Sequence, residues 1–382
     1  MKKLTKVLSI TAAAAMAASL IAPVSVFADD VFVIGAIGPI TGAAGAYGTS
    51  VMNGAQIAVD EINEAGGING YQVELLTADD THDAELSVNA YNDLKDQGMQ
   101  MLLGTVTSAP CIAVEGEAVN DNMFLLTPSG TAVDCIFGEN AFRVCFSDPA
   151  QGTASAQYIG EHGLASKIAI IYDSSDPYSA GITEYFMAEA ENQGLEVVSA
   201  EAFSDNRTDF SAQLNKAKEG EAELVFLPIY YQEAALILQQ AASMDFAPAF
   251  FGCDGMDGIL GVENFDTSLA EGLMMLTPFT PNAEDEMTQN FVKTYEERFD
   301  GLVPIQFAAD AYDGIYAMKA ALEDAGAAPD MSVSDICEAM KASMGNITIT
   351  GLTGEISWDV ATGEPNKEPK AVVIENGEYQ PM

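Results

Sequence analysis

The sequence predicts an α/β protein built from parallel sheets and divided into two domains, and three observations lead there. Residues 60–80, DEINEAGGINGYQVELLTADD, run without interruption from a helix end through a glycine turn into a strand and an acidic loop. Strand and helix signals then alternate almost to the C-terminus, the pattern of βα units whose strands lie parallel. Finally, 382 residues exceed what a single hydrophobic core ordinarily organises.

Taken in order, the apolar run 31–37 (VFVIGAI) is expected as the first strand. Val51, Ala55, Ala58 and Ile62 recur at helical spacing, and Gly66 and Gly67 end that helix by supplying left-handed backbone at its C-cap. Residues 71–77 alternate as a strand. Further apolar strand runs occupy 101–103, 123–126, 168–172, 224–227 and 273–276, with amphipathic helices between them, among them 151–162, 179–193 and 232–244. Ser147-Asp148-Pro149 breaks a strand before a new helix, and Thr277-Pro278-Phe279-Thr280-Pro281 is extended and proline-rich, so both read as crossings between domains. A third candidate crossing is 358–363, inside the terminal β segment 354–379.

Lys2, Lys3 and Lys6 precede an alanine-rich apolar run over 7–22 and a Val26-Phe27-Ala28 site, which predicts a signal peptide over 1–28 cleaved near Ala28. The run is shorter than the ~20 residues of a membrane span, and no cysteine follows it for lipid anchoring. The protein is therefore expected in the periplasm or secreted. With 15 Lys+Arg against 57 Asp+Glu, a formal charge of −42 makes nucleic acid and anionic membranes poor partners. The acids are dispersed, which fits solubility better than an acidic site. The five cysteines show no C-x-x-C pair and there are only two histidines, His82 and His162, so a zinc site is not expected. Cys111 and Cys135 are the expected disulfide, with Cys135–Cys145 or no bond as alternatives.

Enzyme chemistry finds no residues. There is no G-x-S-x-G elbow, no G-x-x-x-x-G-K-[ST] loop, and 35–48 lacks the G-x-G-x-x-G spacing. Binding chemistry finds several. Gly104-Thr105-Val106-Thr107-Ser108-Ala109-Pro110 follows a strand and opens a helix, so the Ser108 hydroxyl and the first free N–H groups converge where a carboxylate can sit, or else Ser108 caps its own helix. Leu126-Thr127-Pro128-Ser129-Gly130-Thr131 repeats that layout one unit later. Asp254, in Phe250-Phe251-Gly252-Cys253-Asp254-Gly255, ends an apolar strand, where a carboxylate is costly unless a cation or a donor meets it.

These segments, with GAIGPITGAAGAYG at 35–48 and the block at 60–80, resemble the periplasmic leucine/isoleucine/valine-binding protein family, the type I solute receptors of ABC importers. The resemblance runs through most of the mature chain. It implies a two-lobed fold with three hinge crossings, an N-terminal lobe from 29–147 and 281–357, and a C-terminal lobe from 148–280 and 358–382. It places the ligand carboxylate at Ser108, has main-chain groups and a threonine hydroxyl of the next turn bind the α-amino acid, a match that falls on Ser129 and Thr131, and sets the ammonium group at Asp254, where the branched-chain receptors carry glutamate. Tyr47, Tyr178 and Tyr230 match positions near the ligand, with Tyr178-Ser179 in place of Tyr-Gly and Pro228-Ile229-Tyr230 in place of Gly-Gly-Tyr. Phe307 is a further, weaker match for which packing is the competing role. The implied function is capture of a small apolar amino acid by hinge closure, as a monomer, for delivery to a membrane permease, without cofactor, metal or catalysis. The same fold also serves receptors for amides, urea-like molecules or aromatic carboxylates, and sensory modules.

Overall fold

The computed structural model describes residues 31–382; the expected signal peptide lies outside them. The chain opens with β1 (Val31–Gly38), α1 (Gly45–Glu64), β2 (Gln72–Asp79), α2 (Ala84–Asp96), β3 (Met101–Gly104), α3 (Ser108–Asp121), β4 (Phe124–Thr127) and β5 (Ala141–Arg143). These strands form one wholly parallel sheet in the order β2-β1-β3-β4-β5. A second lobe follows, with α4 (Asp148–Glu161), β6 (Lys167–Asp173), α5 (Pro177–Gln193), β7 (Glu196–Phe203), α6 (Ser211–Glu219), β8 (Leu224–Leu227), α7 (Tyr231–Ser243), β9 (Ala249–Gly252) and β10 (Met274–Thr277).

The chain returns to the first lobe through α8 (Glu286–Arg298), α9 (Gln306–Ala325) and α10 (Val333–Met344), then forms a small antiparallel sheet of β11 (Thr348–Gly351), β12 (Gly354–Asp359) and β13 (Glu364–Pro365). Finally β14 (Lys370–Glu375) and β15 (Glu378–Pro381) complete the second lobe's sheet, ordered β15-β14-β10-β9-β8-β6-β7. That sheet is parallel from β7 to β10 and antiparallel at β14 and β15. Parallel strands need covering on both faces, and the fully buried runs of β3, β4 and β8 read as continuous apolar stretches for that reason.

The crossing expected at 358–363 is corrected. Trp358 and Asp359 pair with Pro365 and Glu364, so the chain stays with the first lobe to 365 and joins the large sheet at Lys370. Three bonds to β5 hold it there. The Trp358 indole N–H donates to the Arg143 carbonyl at 2.7 Å, the Arg143 N–H donates to the Gly363 carbonyl at 3.2 Å, and Glu364 pairs with the Arg143 guanidinium at 3.2 Å.

Two glycines meet geometric requirements that bear on the site. Gly67, at φ +83°, donates its N–H to the Ile62 carbonyl at 2.8 Å and closes α1, as the C-cap reading requires. Gly54 lets α1 meet α9 backbone to backbone, since a Cβ there would sit 2.0 Å from the Ala308 carbonyl oxygen. That approach fixes the start of α9, which carries Phe307.

No disulfide forms among the described residues: all five cysteines are buried free thiols. The expected Cys111–Cys135 pair meets only as neighbours, each thiol turned to a carbonyl of the other's segment, Cys111 to Cys135 at 3.8 Å and Cys135 to Ser108 at 3.7 Å.

Candidate functional site

Seven of the eight residues expected from sequence converge on one narrow cavity between the lobes, of about 10 Å³. Tyr47 (α1), Ser108 (α3), Ser129 (after β4) and Phe307 (α9) come from the first lobe, and Tyr178 (α5), Tyr230 (before α7) and Asp254 (after β9) from the second. Val106, Thr107 and Gly255 complete the lining. They lie within the segments already singled out, but their residue types carry no signal of their own. A wider groove of about 840 Å³ also runs between the lobes, past Leu260, Leu302 and Val303. Its hydroxyls, on Thr49, Ser50, Tyr231, Tyr295 and Tyr379, come with no buried carboxylate, so chemistry selects the smaller cavity over volume.

The first lobe supplies donors. Ser108 opens α3, and Thr107 before it makes no capping bond because its hydroxyl meets His82 Nδ1 at 2.8 Å. The first N–H groups of α3 are therefore left for a ligand. The Ser108 hydroxyl oxygen accepts the Ala132 N–H at 3.2 Å, which ties the two cavity-facing turns together and leaves its proton to donate. Ser129 differs, because its hydroxyl donates to the Val106 carbonyl at 2.8 Å. The turn is braced from within by Thr127, whose hydroxyl donates to the Thr105 carbonyl and accepts the Gly130 N–H, each at 2.7 Å.

Thr131 does not line the cavity. It is buried beneath the turn, its carbonyl accepting from the Asp148 N–H at 2.9 Å and from the Arg143 guanidinium. Arg143 was missed from sequence. Fully buried, it also donates to the carbonyls of Gly130 and Ala132, each at 3.1 Å, and so fixes the turn that presents Ser129. One signal was available: in a chain with only 15 basic residues, Arg143 interrupts the apolar run Ala141-Phe142-Arg143-Val144.

The second lobe supplies the charge. Asp254 is 4% exposed, and its Oδ1 accepts the Tyr178 hydroxyl and the Gly255 N–H, both at 2.8 Å. Gln151 positions its backbone by accepting the Asp254 N–H at 3.0 Å. Burial raises the Asp254 pKa to about 6, against the lowering by Tyr178 and Gln151. Among the described residues no basic side chain reaches it, so the carboxylate lacks a cation that would offset its desolvation.

Aromatic rings form the walls. Tyr230 stacks on Tyr178 with centroids 4.9 Å apart, and Phe307 stacks on Tyr47 at 4.2 Å. The two pairs face each other across the lobes, with Tyr47 edge-on to Tyr230 at 5.6 Å. The Tyr47 hydroxyl donates to the Gly255 carbonyl of the other lobe. Phe307 both packs and lines the cavity, so its two competing roles coincide.

A pH dependence follows from the buried acids around this site. Burial raises Asp254 and Asp257 to about 6, Asp310 to about 7, and Asp148 well above the usual carboxylate range. Between about pH 4 and 7 the folded state thus holds protons the unfolded chain has released, and stability falls as pH rises through that window. The ligand-free protein is expected to melt at a higher temperature at pH 5 than at pH 7.5, measured by calorimetry at fixed ionic strength.

Two α/β lobes joined by three crossings, with a cavity that sets donors on one side against a carboxylate and aromatic rings on the other, define a hinge-linked solute-binding protein. The chain belongs to the periplasmic binding protein family, whose model matches residues 32–378. It is 30% identical over 334 residues to the Leu/Ile/Val-binding protein BraC3 of Rhizobium johnstonii, covering 85% of this chain and 88% of that protein. In structure it is similar to a leucine-binding protein of Thermotoga maritima, with 28% identity and a TM-score of 0.82 over 92% of this chain and 97% of that one. It is also similar to the branched-chain amino acid transporter substrate-binding protein of Streptococcus pneumoniae, solved in complex with isoleucine, with 28% identity and a TM-score of 0.83 over 92% and 98% of the two chains. No helix among the described residues is long and apolar enough to cross a membrane.

Proposed function

We infer that this protein captures a branched-chain or other apolar amino acid between its lobes and delivers it to the membrane permease of an ABC importer. It acts as an exported monomer and without catalysis. One observation carries the reading: Asp254, buried without a basic partner, faces Ser108 and the open start of α3 across a cavity walled by aromatic rings. A zwitterion fits that polarity, its ammonium group meeting Asp254 and its carboxylate meeting Ser108 and the α3 N–H groups. An apolar side chain then lies against Tyr47, Tyr178, Tyr230 and Phe307. The relatives that bind leucine, isoleucine and valine support the same ligand class. The ligand bridges the lobes and so stabilises the closed form over the open one.

The test is calorimetric titration of the wild type and Ser108→Ala with L-leucine and with its deaminated analogue, 4-methylpentanoate. Ser108→Ala is expected to weaken both compounds about tenfold, because both retain the carboxylate and lose one charge-assisted hydrogen bond. An effect on leucine alone would remove the carboxylate from Ser108. Absence of leucine binding to the wild type would overturn the ligand class.

A further inference from the structure

The α9 helix starts in the first lobe, packed on α1, yet its own sequence does not cap it: Ile305 at the N-cap has no side-chain acceptor. The cap comes from the other lobe. Asp257, three residues after Asp254, accepts the Gln306 N–H on Oδ2 at 2.8 Å. The Gln306 side chain extends the same contact, its Nε2 donating to the Asp254 carbonyl at 2.7 Å. Its Oε1 lies 3.2 Å from the Thr277 hydroxyl, at the end of β10 where the chain leaves the second lobe. Asp257, Gln306 and Thr277 are each no more than 2% exposed, so these bonds form in a dry seam between the lobes.

We propose that Asp257 and Gln306 form an interlobe latch, in which a carboxylate of one lobe caps a helix of the other and sets how tightly the closed cleft holds its ligand. Both are positioning residues: neither lines the cavity, but each adjoins a residue that does. Gln306 immediately precedes Phe307, and Asp257 sits at the end of the short turn 254–256 that carries Asp254. Seating the latch therefore brings the aromatic wall and the carboxylate to the ligand together. Opening the cleft exposes the helix start and leaves Asp257 without that donor, so the cap stabilises only the closed arrangement. A ligand whose binding form is more populated binds more tightly in proportion.

The inference rests on the proposed amino-acid binding, and the experiment separates the two. L-leucine is titrated into wild type, Asp257→Ala and Asp257→Asn, with dissociation followed by stopped flow and ligand-free melting recorded alongside. Asp257→Ala is expected to bind about tenfold more weakly, through faster release, in the range an N-cap is worth. Asp257→Asn keeps an acceptor oxygen for the Gln306 N–H and is expected within about threefold of wild type. Ligand-free melting temperatures should not fall below wild type in either, since both variants remove a buried acid. Equal affinity in Asp257→Ala and wild type, equal losses in the two variants, or a fall in ligand-free melting that matches the affinity loss would each overturn the latch. If the wild type binds no leucine, the ligand reading fails by itself, and amide exchange at the start of α9 then decides. Faster exchange in Asp257→Ala than in Asp257→Asn supports the cap, and equal rates overturn it.

Discussion

Asp254→Asn is expected to lower affinity for L-leucine by roughly ten- to a hundredfold while leaving the ligand-free protein as stable as wild type or more so. The two halves of this expectation have one cause. Burial has already raised the Asp254 pKa to about 6, so the charged carboxylate is held at a cost that only an ammonium group offsets. Asparagine preserves the shape and one oxygen for Tyr178 and the Gly255 N–H, but removes the charge. The lost charge-assisted bond is worth about 1.5–3 kcal/mol. 4-Methylpentanoate has no amine and should scarcely sense the substitution. For the wild type, leucine affinity should also fall as pH drops through about 6, since protonating Asp254 removes the form that meets the ammonium group. Calorimetry with both compounds between pH 5 and 8 checks this. Unchanged leucine affinity in Asp254→Asn would move the ligand toward carboxylates or amides without an amine.

Lys367→Met is expected to destabilise the protein by about 3–5 kcal/mol, the usual cost of removing one partner of a buried ion pair. Lys367 lies in the third crossing, and its ammonium group donates to Asp310 Oδ1 at 3.1 Å and to the Thr353 hydroxyl at 2.7 Å. Both charged side chains are under 5% exposed. Asp310 is on α9, so the pair fastens the crossing to the first lobe. Without the lysine, Asp310 keeps a buried carboxyl beside Asp313 and Asp254, all three acids lying in one low-dielectric region. The double variant Asp310→Leu/Lys367→Met should recover much of the loss, because the acid hydrogen-bonded to the lysine is no longer left buried without its partner. Chemical denaturation of the three proteins measures it. A double variant no better than Lys367→Met would show that the lysine acts through packing of its stem rather than through its charge.

Much of the fold was legible because the physics that sets it is local. Strand and helix periods, Gly66-Gly67 after an apolar stripe, and hydroxyl-bearing segments at strand-to-helix junctions are short-range patterns, and they located the turns carrying Ser108, Ser129 and Asp254. The roles of Tyr47, Tyr178, Tyr230 and Phe307 needed more, since an aromatic residue in a buried segment looks the same whether it packs or binds. The family resemblance raised those residues, and the cavity that joins them is a tertiary fact.

Long-range partners were not legible. The family resemblance drew Thr131 to the ligand, but burial turns it toward Asp148, whose N–H and side chain lie 17 residues away in sequence. Arg143 reaches the same turn from an adjacent strand, and Asp257 caps a helix 49 residues downstream in the other lobe. Cys111 and Cys135 lie close, as their positions after neighbouring turns suggested, and their thiols interact, yet both remain free. The third crossing moved because Trp358 and Glu364 bind Arg143 across more than 200 residues. By itself the sequence determined the α/β class, the two lobes and the segments that line the cavity between them, because strand alternation, helix periodicity and turn chemistry act over a few residues. Only the tertiary structure decided which buried charges meet, which helix is capped from the other lobe, and which hydroxyl keeps its proton for a ligand. Those outcomes depend on desolvation and hydrogen-bond geometry between elements that sequence order does not bring together.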